Sequence, residues 1–567
     1  MAFIDTSSKT QTTSFNKGNP GYVTLLTVIA ALGGLLFGYD TAVINGAEKS
    51  LVDFYIIKIT DPSFHDYAVS MISQYRVTLV VVLFVVLVVI CGQIIKLLNM
   101  KRGGIISLIL LIILAWWAVG FIGDSIPSDA GGLQDIANSI KGFVIASALI
   151  GCIIGGAIAG FISKSIGRKN GLLIAAIAFL ISAIGAWHPE WFNFFGTEDA
   201  YAFVIYRIIG GIGIGIASML SPMYIAEIAP AKVRGKLVSF NQFAIVFGML
   251  IIFFVNYFIA RQGDEQWLTT VGWRWMFFSG IIPAGLFFIL LFFAPETPRY
   301  LALKGQNDKA LKVLEKISGG DSANKILEEI KSTLHEANSP WLSYGFLVIF
   351  IGILLSVFQQ FVGINVVLYY ASNIFRNMGS GTDVSMLQTI IVGAVNMVFT
   401  IVAIVYVDKF GRKPLMIIGS IGMAVSMIAL GLTFYFNYLG ILSLIFMLAY
   451  TAFFAMSWGP VCWVLLSEIF PNSIRGALSI AVAAQWIANW IISFTFPMMN
   501  DNATLTNQFH HGFAYWIYGI MGILSAIFVW KLVPETKGKT LEEMEGLWKK
   551  KKVIAVNVPE IPGEEVK

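Results

Sequence analysis

Runs of about 17 to 25 predominantly apolar residues are long enough to cross a bilayer as helices. They recur fourteen times in this chain, from 21–46 to 512–533. That repetition settles the fold class before any motif is read. A segment inside lipid must satisfy its own backbone, which leaves helices or a closed barrel, and runs this long without strand alternation are helices. Of the 567 residues, 57% are hydrophobic and only 13% charged, against about 25% charged in a soluble protein. Soluble, disordered and fibrous classes are excluded. The chain reads as an all-α polytopic membrane protein.

An even number of crossings places both termini on one side, and Lys and Arg choose that side. Lys164, Arg168 and Lys169, then Lys232, Arg234 and Lys236, then Lys409, Arg412 and Lys413, then Arg475, fall in alternate loops. The intervening loops 188–201 and 499–511 hold neither residue. Both termini are expected in the cytoplasm. Residues 1–20 are polar and lack a cleavable apolar region, so the first apolar run is expected to stay as an anchor. Cys91, Cys152 and Cys462 lie in apolar runs, and no His cluster has metal-ligand spacing. Neither a disulfide framework nor a metal or other cofactor is expected.

The chain also contains itself twice. Glu227-Ile-Ala-Pro-Ala-Lys-Val-Arg234-Gly recurs 241 positions later as Glu468-Ile-Phe-Pro-Asn-Ser-Ile-Arg475-Gly. Gly167-Arg-Lys recurs at Gly411, and Pro295-Glu-Thr at Pro534, in the same order and at nearly the same offset. Two homologous halves follow, the parallel-repeat design of many transporters. The repeat exposes an insertion. From Asp40 to Gly167 is 127 positions, whereas from the apparently equivalent Asn365 to Gly411 is 46. The surplus holds two runs, 77–95 and 104–123, joined by the basic Lys96-Leu-Leu-Asn-Met-Lys-Arg102. A two-crossing hairpin leaves downstream orientation unchanged. Its nearly unbroken apolarity suits a lipid-facing addition, with a dimer contact or docking role as the alternative.

The expected organisation is a cytoplasmic tail 1–20, a six-helix bundle 21–294 with the inserted transmembrane hairpin at about 75–125, and a cytoplasmic helical linker 295–342. A second six-helix bundle 343–533 and a tail 534–567 follow.

Several motifs carry a resemblance. They are Gly33-Gly-Leu-Leu-Phe-Gly-Tyr-Asp40, Gly167-Arg-Lys169, Pro295-Glu-Thr-Pro-Arg299, Gln359-Gln-Phe-Val-Gly-Ile-Asn365, Val407-Asp-Lys-Phe-Gly-Arg-Lys413 and Pro534-Glu-Thr-Lys-Gly538. In their combination the chain resembles the sugar porters of the major facilitator superfamily over nearly its whole length, the hairpin and termini excepted. The resemblance implies the major facilitator fold of two six-helix bundles, rocking about one central sugar. It further implies proton-coupled import of a neutral monosaccharide, D-xylose or a related pyranose, by a monomer in a bacterial inner membrane, and no enzymatic activity.

The residues suit that chemistry. Sugar hydroxyls both donate and accept hydrogen bonds between apolar C–H faces, and carboxamides with an aromatic plate match them. Gln242, Gln359, Gln360, Asn365, Asn396, Trp463 and Gln485 lie in spans at positions matching the family's sugar-binding pattern. Gln242 and Gln485 are repeat mates, and Gly363 can interrupt a helix as transporters do at binding sites. The bland alternative is that such amides hold helices together, at about 0.6 kcal/mol each. Met249 stands where the resemblance would place a further Gln.

Asp40 reads as the one carboxylate deep within a span, and its repeat mate is the neutral Asn365. An Asp at the bilayer centre costs about 2.5–3.5 kcal/mol or more, which marks it as functional. Arg207, about two turns inside its helix, is the expected counter-charge. Burial favours the protonated acid and a guanidinium the ionised one, so a change in their separation would load and release a proton. A static ion pair is the alternative. Arg168, Glu227 and Arg234, repeated as Arg412, Glu468 and Arg475, are expected by resemblance to form a cytoplasmic gate. Lys164 departs from the family's acid there, while Asp408 keeps it. A passive facilitator, a symporter of glucose or another pyranose, and a non-transporting sugar receptor are the other readings. The glycine run Gly210-Gly-Ile-Gly213-Ile-Gly215 is expected to pack helices rather than cradle phosphate.

Overall fold

The computed structural model describes residues 19–193, 199–230, 233–333, 340–471, 474, 477–537, 546 and 548. Its described elements are all helical, and fourteen helices are long and apolar enough to cross a membrane. Within the first half, Ser147–Ser165 packs along Asp199–Ile228 and Pro20–Ala42 along Arg234–Ala260. Within the second, Arg412–Tyr435 packs along Phe513–Leu532 and Phe346–Phe361 along Leu478–Asn500. The seam between them is made by Ala130–Ile145, Ser147–Ser165 and Arg234–Ala260 on one side. Thr382–Phe410 and Leu478–Asn500 make the other.

The first span corrects the sequence reading. It does not stop near residue 46 but continues to Ile59, passing from Pro20–Ala42 through Ile44–Leu51 into a π turn at Val52–Ile56. Asn45 and Glu48 are therefore inside the protein, both nearly fully buried. Their polarity mimics a loop, but it is satisfied by partners in the second half. Asp40 is not the only carboxylate buried in a span.

The hairpin is formed by His65–Leu98 and Met100–Gly123, turning at Asn99, whose side chain accepts a hydrogen bond from the Arg102 amide at 3.3 Å. Ile105, Leu108, Ile109, Ile112, Trp116 and Val119 of the second helix are exposed, as suits a lipid-facing surface. The first helix is anchored near its outer end. The Tyr201 hydroxyl donates to the Met71 carbonyl at 2.9 Å, and Tyr75 meets Phe143 edge-on. Between the halves, Pro298–Leu303, Asn307–Ser318 and Gly320–Thr333 share a small core of Leu301, Ala310, Leu314, Ala323 and Leu327.

Candidate functional site

Gly363 shapes the centre of the second half. It lies in the left-handed region at φ 94°, and a Cβ there would come within 2.7 Å of the Tyr518 ring. Only glycine fits on both counts. The helix Phe346–Phe361 ends before it and Ile364–Tyr369 begins after it, so Gln359, Gln360 and Asn365 flank the break. The Val362 carbonyl freed there accepts the Tyr450 hydroxyl at 2.8 Å.

The amides around this break form a chain. Gln485 Nε2 donates to Gln359 Oε1 at 2.6 Å, Gln360 Nε2 donates to the same oxygen at 3.4 Å, and Asn365 Nδ2 donates to Gln360 Oε1. Gln359 Nε2 in turn donates to the Trp458 carbonyl at 3.0 Å. Gln359 is thus held by its neighbours, whereas buried Gln485 Oε1 has no partner among the described residues and remains an acceptor for a hydroxyl. Trp463 is half-buried on Trp458–Ile469, Gln242 half-buried on Arg234–Ala260, and Asn396 buried on Thr382–Phe410. No hydrogen bond joins these three to the chain among the described residues. Met249 is buried.

Asp40 and Arg207 meet in the first half. Arg207 Nη1 lies 2.9 Å from Asp40 Oδ1, Nη2 donates to the Asp40 carbonyl at 2.9 Å, and the guanidinium sits 5.1 Å from the Phe277 ring centroid. Arg207 is 1% exposed. The second carboxylate oxygen, Asp40 Oδ2, is buried without a partner among the described residues. Beside it is Gly210, where a methyl group would press on Ser182 and come within 3.3 Å of that oxygen. The glycine run therefore leaves room at the carboxylate as well as packing helices.

At the cytoplasmic ends the two halves build the same network. Arg168 Nη2 reaches Glu227 Oε1 at 2.8 Å, and the Thr297 hydroxyl donates to Glu227 Oε2 at 2.6 Å. Glu296 accepts the backbone amides of Arg168 and Lys169 at 3.1 Å. Burial pushes Glu296 above the usual carboxylate range, against the pull of those amides and of Arg168. In the second half Arg412 Nη2 reaches Glu468 Oε1 at 2.9 Å, Thr536 donates to Glu468 Oε2, and Glu535 accepts the amides of Arg412 and Lys413. Every one of these bonds stays inside its own half. Arg234 is exposed and reaches the Ala229 carbonyl at 3.4 Å. Lys164 is exposed, and Arg475 lies outside the described residues.

Sequence reasoning missed the opposite end of the seam. There Lys141 Nζ lies 2.8 Å from Glu48 Oε1 and 2.9 Å from Asp501 Oδ2, while Arg376 bonds the other oxygen of Glu48. Asn373 Nδ2 donates to Glu48 Oε1 at 3.2 Å. Asn45 Nδ2 donates to the Leu368 carbonyl at 3.0 Å and accepts the Ser372 hydroxyl at 2.7 Å. A signal was present: Lys141 and Arg376 are cations at non-cytoplasmic helix ends, where the charge rule leaves few.

The family model described as "Sugar (and other) transporter" matches residues 26–548. The chain is 50% identical to the D-xylose-proton symporter of Escherichia coli, over 94% of this chain and 96% of that protein. It is 36% identical to the glucose facilitated diffusion protein of Zymomonas mobilis, over 95% of this chain and 100% of that protein. Among solved structures, it resembles the major facilitator superfamily proton:xylose symporter XylE bound to 6-bromo-6-deoxy-D-glucose. The TM-score is 0.70 at 50% identity, covering 94% of this chain and 100% of that one.

Proposed function

This chain belongs to the sugar transporter family, and we propose on that premise that it imports a neutral monosaccharide, D-xylose foremost, together with a proton by alternating access. It is a multi-pass membrane protein with the major facilitator fold, and we place it in a bacterial inner membrane. The amides Gln359, Gln360, Asn365 and Gln485, with Gln242, Asn396 and Trp463, form the sugar site. The pre-bonded chain fixes donors and acceptors in advance, which lowers the ordering cost when sugar hydroxyls arrive. Asp40 carries the proton and Arg207 modulates it.

The observation that carries this reading is the half-satisfied carboxylate. Asp40 gives one oxygen to Arg207 and keeps the other buried and unpartnered, and a buried acceptor without a donor is costly unless something occupies it. A proton on that oxygen cancels the charge that burial penalises. A movement that brings Arg207 nearer, or draws it away, changes which form of the acid is favoured. One charge crossing 100 mV releases about 2.3 kcal/mol, which corresponds to roughly fifty-fold accumulation of a neutral sugar.

The test is uptake of labelled xylose into vesicles with an imposed proton gradient. The Asp40→Asn protein is expected to lose accumulation while keeping exchange of labelled for unlabelled sugar. Accumulation that survives the substitution would remove Asp40 from the coupling role. Wild-type uptake that only equilibrates, whatever the gradient, would identify a facilitator instead.

A further inference from the structure

We infer that Glu48, Lys141, Arg376 and Asp501 form an electrostatic latch that shuts the extracellular entrance and sets how readily this transporter opens outward. The inference rests on alternating access and not on the proton assignment to Asp40.

The position comes first. Lys141 and Glu48 belong to the first half, Arg376 and Asp501 to the second, and the two contacts Lys141–Asp501 and Arg376–Glu48 cross the seam. All four residues lie in the parts of their helices remote from the Arg-rich cytoplasmic loops. Neutral bonds flank them: Asn45 to Leu368 and Ser372, and Asn138 Nδ2 to the Asp501 carbonyl at 3.0 Å. Among the described residues, the paired ions at the cytoplasmic end never cross the seam, so the cross-seam ion pairs lie on one side only.

The charge arithmetic suits a latch that must also release. Side-chain exposure is 1% at Glu48 and 8% at Lys141, so an ion left alone there would carry a large desolvation penalty. The closed network holds two acids and two bases. When the halves part, each takes one of both signs. Glu48 keeps Lys141 at 2.8 Å in the first half, and Asp501 and Arg376 leave together in the second. Opening therefore breaks two cross-seam contacts without stranding a single sign of charge on either face.

Sequence symmetry shows that the network is an addition to the repeat and not a product of it. The offsets of Asp40 to Asn365, Gly167 to Gly411 and Gln242 to Gln485 give the repeat positions of Glu48, Lys141, Arg376 and Asp501. Those positions are Asn373, Ser385, Leu51 and Phe258, none of them charged. Glu48 even bonds its own mate, Asn373. Glu48 also lies on the helix run of Asp40, eight residues on, or about 12 Å along the axis. The latch is thus built onto the element that carries the buried acid.

The experiment reads the gate directly. Ser372 is 0% exposed beneath the latch, so Ser372→Cys, in a chain with the three native cysteines replaced, reports outward opening through its reaction with a membrane-impermeant maleimide. No sugar and no proton gradient are supplied, which keeps the result separate from the uptake test of Asp40. Asp501→Asn and Arg376→Gln each remove one cross-seam contact and leave Glu48 paired with Lys141. Each is expected to raise the labelling rate about ten-fold, and Arg376→Lys to restore most of the closure. Glu190→Gln breaks an ion pair with Arg274 that lies within the first half, and it is expected to leave labelling unchanged. Parent-like labelling in both latch variants, with monodisperse protein, would overturn the inference. So would an equal rise in the Glu190→Gln control, which would indicate general loosening of the outer face.

Discussion

At the cytoplasmic end, Arg168 with Glu227 and Arg412 with Glu468 repeat one geometry, each inside its own half. At the extracellular end, Glu48, Lys141, Arg376 and Asp501 come from both halves and have no second copy. The difference separates two jobs that ion pairs do in one fold. Repeated, self-contained networks tie together the helix ends within each bundle. The single shared network fastens one bundle to the other. The repeated kind descends with the duplicated half, while the shared kind requires charges that only one half or the other acquired.

The largest effect that would sharpen this contrast is expected at Glu227. Its partner Arg168 is 9% exposed in the pair and Glu227 itself 11%, against 12% and 26% for Arg412 and Glu468. Removing one member of a buried pair costs about 3–5 kcal/mol, so Glu227→Ala is expected to lower the melting temperature of the detergent-solubilised protein markedly. Glu468→Ala, in the more hydrated copy, is expected to cost roughly 1–2 kcal/mol. Equal losses would mean that burial does not distinguish the halves.

A smaller effect is expected from a neutral bond across the outer seam. Asn45→Val removes the bonds to Leu368 and Ser372 without touching a charge. Intramembrane hydrogen bonds average about 0.6 kcal/mol, so the two together should raise outward opening by roughly five- to ten-fold. Fluorescence quenching of a probe placed at the outer seam, with quencher added outside, measures it. A change larger than that of a broken cross-seam ion pair would show that neutral bonds, not charge, hold the entrance.

The same contrast explains what the sequence disclosed. Fourteen spans follow from hydropathy, because a lipid-facing helix must be apolar whatever it touches. The cytoplasmic pairs were visible because duplication wrote them twice: Arg168 stands 59 positions before Glu227, and Arg412 stands 56 before Glu468, each in a repeated motif. Glu48 was invisible for the opposite reason. Hydropathy scores it as the end of a span, and what keeps it buried is Arg376, 328 positions away, and Lys141 on another helix. In the proposed sugar site, residue types pointed to Gln359, Gln360, Asn365 and Gln485, but not to their arrangement as one bonded chain. That arrangement depends on the break at Gly363 and on the carbonyl of Trp458.

The smallest expected effect is the most demanding of the comparison. Thr297 and Thr536 each donate a hydroxyl hydrogen bond to the glutamate of their own network, at 2.6 and 2.5 Å. Thr→Val at either site keeps the shape and removes that bond, at a cost of about 1 kcal/mol. Because the two networks share no ion pair or hydrogen bond among the described residues, their losses should add in the Thr297→Val, Thr536→Val double variant. Independent sites add within about 0.3–0.5 kcal/mol. Thermal melting of the two single variants and the double variant supplies the cycle. A coupling well beyond that margin would mean that the cytoplasmic networks sense each other across the seam. The division between self-contained and shared ion pairs would then fail at the end where it is drawn most sharply.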